Sequence, residues 1–135
     1  MFGAIRETYQ LSSAAAFAQG VLENLTATGL FSVDPKALAH RVVAMTFARD
    51  KDVFNGKKGP KPHKMSMAAL AFAQGMRHYD RHSDEYMASY LALGAILMEF
   101  EVRGGNYSLN GKDAAFIEIG AREYAGHEDI DWGAP

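Results

Sequence analysis

The chain has no cysteine among its 135 residues, which excludes disulfides, thiolate metal sites and cysteine nucleophiles in one step. It also lacks a charge imbalance: the formal net charge is -2, so no overall field draws it toward nucleic acid or an anionic membrane. Long apolar runs are missing as well. The longest uncharged stretch, YMASYLALGAILM from Tyr86 to Met98, lies between Glu85 and Glu99 and is shorter than the roughly 20 residues a membrane helix needs. The opening segment MFGAIRETYQ carries Arg6 and Glu7, where a secretory signal requires an apolar core. A cytoplasmic protein without membrane contact is the expectation from these absences.

Catalytic patterns are equally scarce. None of the serines sits in a GxSxG context, and HExxH, a Glu-x-x-His pair of the di-iron type and GxxxxGK[ST] are all absent, which removes the usual signatures of serine hydrolases, zinc proteases, di-iron bundles and phosphate-binding loops. Glu99 and Glu101 project in different directions from a helix end and make a poor carboxylate pair. No enzymatic activity and no cofactor are expected.

What is present is apolar residue content of 48% arranged at helical spacing, enough for one core in a chain of this length. A first helix is expected from about Leu11 to Thr28, with Leu11, Ala14, Ala18 and Leu25 on one stripe and Gly29 ending it. Asp34 as cap and Pro35 in the first turn predict a second helix to Arg49. The stretch from Asp50 to Lys64 holds Gly56, Gly59, Pro60 and Pro62 and reads as a long loop. A third helix is expected from Ser66 as cap to near Asp80, and a fourth from Ser83 to Gly104, surrounded on several sides and central to the bundle. Asn110 and Asp113 have the spacing of a capping box for a fifth helix to Ala125. The fold predicted is all-α: a compact bundle of about five helices forming one domain over residues 1–126, with an acidic tail over 127–135.

One word, AFAQG, occurs twice, at Ala16–Gly20 and Ala71–Gly75. The offset between the copies also lays Ala37-Leu38 on Ala92-Leu93, so two related helical hairpins, about 10–50 and 65–103, are one reading and coincidence in an alanine-rich chain is the other. In the first reading Phe17 and Phe72 fill the core, while Gly20 and Gly75 each let another helix approach.

Three clusters are candidates for function. The run RHYDRHSDEY holds His78, Asp80, His82 and Glu85, residue types that can bind a divalent metal if they converge. Asp80 and Ser83 are cap-type residues that break the helix between the histidines, which favours a solvated turn instead. The loop from Arg49 to Lys64 carries Lys57, Lys58, Lys61 and Lys64 among six cations against two acids; such a strip can contact phosphates or an acidic protein surface. Residues 113–135 offer an acidic counterpart, with six acids and one arginine. In the tail, the only tryptophan, Trp132, is interleaved with acids and suits a partner anchor. The function expected is therefore a small non-enzymatic regulator, inhibitor or adaptor that binds another protein, in a homodimer. A metal-binding helical protein and a nucleic-acid accessory protein are the alternatives. Methionines at 45, 65, 67, 76, 87 and 98 divide between core and association surface.

Overall fold

Several helix boundaries have a local chemical cause. The Asp34 carboxylate accepts the backbone N–H groups of Lys36 and Ala37 at 3.0 and 3.2 Å. It opens a helix over Pro35–Arg49, as its cap position predicts. The helix before it ends in a turn at Gly29, whose φ of +77° is the only positive value among the described residues and suits a residue without Cβ. Ser83 accepts the Tyr86 N–H at 3.1 Å and opens the fourth helix. Asn110 and Asp113 form the reciprocal capping box of the fifth.

The computed structural model describes residues 2–49 and 62–127, with the side chains of the first helix described from Ser12 onward. In chain order the elements are α1 (Phe2–Thr26), α2 (Pro35–Arg49), α3 (Lys64–His78), α4 (Asp84–Arg103), a 3-10 turn (Gly104–Asn106) and α5 (Gly111–Gly126). Among the described residues there is no strand, and the chain is an all-α bundle. None of its helices is long and apolar enough to cross a membrane.

Two helix starts differ from the sequence reading. α1 begins at Phe2, well before Leu11. α3 begins at Lys64 with His63 as cap, its Nδ1 accepting the Met65 N–H at 3.1 Å. Ser66, the expected cap, is instead fully buried inside the first turn, where its one hydroxyl proton has the His63 carbonyl and the Asp113 carboxylate as acceptors within reach.

The larger difference is which helix is central. α3 packs against all four other helices, whereas α4 packs mainly against α1, α3 and α5. Every residue of α3 from Met65 to Ala73 is buried, as are Gly75 and Met76. Composition explains this. Alanine at 68, 69, 71 and 73 and glycine at 75 give a narrow cylinder that neighbours can approach from every side, and Met65, Met67, Leu70 and Phe72 fill the spaces between them. α4 is more hydrophobic as a run, but its bulk lies on one side: Ser89, Ala92, Leu93, Ile96 and Phe100 face the core.

The two AFAQG copies occupy unequal places. Phe72 is fully buried, and a Cβ on Gly75 would lie 2.6 Å from the Ser89 hydroxyl and 3.1 Å from Val42 Cγ1. Phe17 is only partly buried, and a Cβ on Gly20 would meet nothing within 4 Å. The expected close approach is therefore made at Gly75 alone.

Candidate functional site

α4 carries its core residues on one side and a second apolar line on the other. Leu91, Ala95, Met98 and Val102 follow at spacings of four, three and four, which on a helix places them along one edge. This edge points away from α3. Met98 is 66% exposed and Val102 69%, while Ala95 is also exposed and Leu91 half-buried. Scattered exposed apolar side chains such as Leu30 are ordinary. A continuous uncharged line along a helix is not, and marks a surface built to be covered.

Two hollows flank the line. On the α1 side, a cavity of about 250 Å³ is lined by Phe17, Val21, Leu25, Ala95 and Ile96, with Glu99 and Tyr107 at its polar end. On the α5 side, a shallower one of about 560 Å³ runs over Leu97, Phe100, Leu109 and Ile117, rimmed by Glu101 and Glu118. Ala95 belongs both to the exposed line and to the wall of the first hollow. The seam and the first hollow thus form one apolar surface, and the nearest charges around it and the second hollow are mostly acidic.

The end of this surface is pinned by Glu99. Its carboxylate accepts the Tyr107 hydroxyl at 2.7 Å and the Arg103 guanidinium at 2.9 Å. The Tyr107 bond first, and Arg103 second, hold Glu99 below the ordinary carboxylate range, and the same bond raises Tyr107. The bond ties the 3-10 turn back onto α4. A lowered folded-state value means that Glu99 stabilises the fold above the ordinary glutamate range and loses that contribution as pH falls toward the lowered value. Urea melts of the wild type and Glu99→Gln across the acid range are expected to differ most at neutral pH and to converge below the ordinary glutamate value. A gap that stays constant with pH removes the ionic clamp from the account.

At the opposite end of α4 lies an aromatic cluster. The His127 ring stacks on Tyr90 with centroids 3.6 Å apart, and Tyr90 stacks on Tyr124 at 4.7 Å. Tyr86 is buried, its hydroxyl 3.3 Å from His127 Nδ1, and burial raises its value above the ordinary phenol range. Gly94 makes room for Tyr124, since a Cβ there would stand 2.7 Å from the ring. These contacts lock α5 against α4 and, among the described residues, leave the neighbouring seam exposed at Ala95, Met98 and Val102.

The residues expected from sequence to act are placed elsewhere. His78 ends α3 and packs edge-on against Tyr79. His82 lies in the following turn, where the Asp80 carboxylate accepts its backbone N–H at 2.8 Å. Asp80 therefore organises a turn, with its carbonyl taking the Ser83 N–H and hydroxyl. Glu85 sits in the first turn of α4 beside a small cavity with Arg41. Among the described residues no group of three or more His, Asp or Glu is arranged to hold a metal ion. Lys64 is exposed at the start of α3; Lys57, Lys58, Lys61 and Trp132 lie outside the described residues. A cavity of about 380 Å³ between α2 and α3 is lined by Arg49, Arg77 and His78. Arg49 and Arg77 stand in the last turns of two helices, where they offset the negative ends of the helix dipoles. Arg49 is also held by Gln74 at 2.7 Å and Arg77 by Glu123 at 3.3 Å.

No protein-family model, curated protein or solved structure matches the chain. The seam of α4 is therefore read on its own chemistry.

Proposed function

We propose that the chain is a small non-enzymatic protein-binding module, a regulator, inhibitor or adaptor, that docks an apolar helix of a protein partner on the outward edge of α4. The observation that carries this is the apolar line of half-buried Leu91 and exposed Ala95, Met98 and Val102 between two apolar hollows. Its four-three-four spacing matches the seam another helix presents. The flanking charges argue against a lipid surface as the occupant. Helices that lie on membranes carry Lys and Arg beside their apolar face, whereas α4 carries Asp84, Glu85, Glu99 and Glu101 against Arg103. Met98, with a flexible and polarizable side chain, suits a surface that must fit a partner.

The test is a photoreactive residue at Val102, irradiated in the cells that make the protein, with one at Lys36 on α2 as control. One adduct of definite mass is expected at Val102, absent at Lys36, and lost when Met98→Glu is added. Because Met98 is mostly solvent-exposed, Met98→Glu is expected to change folding stability by less than about 0.5 kcal/mol, which a urea melt checks. No adduct at Val102, or one insensitive to Met98→Glu, overturns the docking surface.

A further inference from the structure

We infer that the helix received by this surface is α4 of a second copy of the chain, laid antiparallel across it. The inference rests on the docking reading above and adds the identity of the partner. Its first ground is that the seam reads the same in both directions. Spacings of four, three and four place Leu91 opposite the second copy's Val102, and Ala95 opposite its Met98, when the helices run antiparallel. A two-fold interface needs this reciprocity, because each contact is made twice by one patch.

The second ground is that the patch contains both a projection and the recess for it. Met98 stands out from the surface. Ala95, one turn away, has only a methyl group and forms part of the wall of the hollow between α1 and α4. Antiparallel pairing brings each Met98 over the other copy's Ala95, beside Phe17, Val21 and Leu25.

Charge selects the direction. In a parallel pair Glu99 and Glu101 of the two copies would flank one seam at the same level, like charge beside like charge. Antiparallel pairing brings Glu99 to the level of the second copy's Gly94 and Glu101 to the level of its Ala92, so that the acidic residues of the two copies are offset along the seam. The acidic end of each seam then faces the uncharged middle of the other.

Sedimentation equilibrium over a wide concentration range, joined to a cross-linking register test, decides the matter. The wild type is expected to pass from monomer to dimer, and Met98→Glu to remain monomeric while unfolding at the urea midpoint the wild type shows when dilute enough to be monomeric. The chain has no native cysteine, so Leu91→Cys and Val102→Cys can each be read without background. A short bis-maleimide is expected to join the two variants when mixed and neither alone. Like positions stand about 16 Å apart along the pair at 1.5 Å per residue, while Leu91 and Val102 face each other. A wild type that stays monomeric at every concentration, or a cross-link formed by either variant alone, overturns the second copy. The photo-adduct separates this failure from that of the docking reading. Twice the chain mass is expected, a different mass sensitive to Met98→Glu overturns only the self-pairing, and no adduct overturns both.

Discussion

Asp113→Ala is expected to destabilise the fold by about 3–5 kcal/mol, the loss of a buried acceptor shared by three donors. Asp113 is fully buried. One oxygen accepts the backbone N–H of His63 at 2.7 Å together with the Ser66 hydroxyl; the other accepts the N–H of Asn110 at 2.9 Å. His63 and Asn110 are the caps of α3 and α5. A single carboxylate therefore sits at the positive ends of two helices and satisfies a backbone donor at each. Alanine leaves the two backbone N–H donors without an acceptor, each at a cost of about 1–3 kcal/mol when water cannot reach it, while the Ser66 hydroxyl keeps the His63 carbonyl as acceptor. Asparagine keeps one acceptor but turns an amide N–H toward a donor, and is expected to lose about half as much. Urea unfolding followed by circular dichroism measures both. A midpoint for Asp113→Ala within error of the wild type would show that water replaces the carboxylate and that the node is not structural.

The same residue shows how far the sequence could be read. Its role in α5 is local, three residues from Asn110, and the spacing announces it. Its role in α3 reaches Ser66 and His63 across 47 and 50 residues, and no local pattern carries that pairing. The misplacement of Ser66 as a cap has the same origin: a serine before an apolar run is a good cap, and only the distant carboxylate makes it a better core donor. The central helix was hidden for a different reason. The apolar run of α4 suggests burial on all sides, but centrality goes to the helix with the smallest cross-section, and alanine-rich α3 is thinner. The seam itself was partly legible. Met98 and Val102 continue the spacing of Leu91 and Ala95, Val102 lying past the last core residue, Phe100, and two apolar lines on one helix mean that one faces outward. The charge clusters at 77–86 and 49–64 drew attention because ionisable residues advertise chemistry, whereas an uncovered alanine and methionine do not.

Gly20→Ala and Gly75→Ala are expected to have opposite signs, although the two glycines end the same five-residue word. Both stand inside helices, where alanine is favoured by about 0.5–1 kcal/mol through the entropy of the unfolded chain and helix propensity. At Gly20 nothing opposes this, since the added methyl meets open space, and the variant is expected to be more stable by about that amount. At Gly75 the methyl would stand 2.6 Å from Ser89 Oγ, 3.1 Å from Val42 Cγ1 and 3.3 Å from Ser89 Cβ. Two neighbouring helices must then shift, and overpacking of this kind costs about 1–3 kcal/mol net. Ser89 decides how much of that is the hydroxyl. Its Oγ is fully buried and has no hydrogen-bond partner, so Ser89→Ala alone is expected to be neutral or mildly stabilising. Combined with Gly75→Ala it removes the shortest contact but leaves Val42 and the Cβ at 89. The double variant is therefore expected to recover part of the loss, with a coupling of about 0.5–2 kcal/mol in the thermodynamic cycle. Strict additivity would mean that the clash is relieved by Ser89 turning away, and that α2 at Val42 sets the spacing of the bundle around α3.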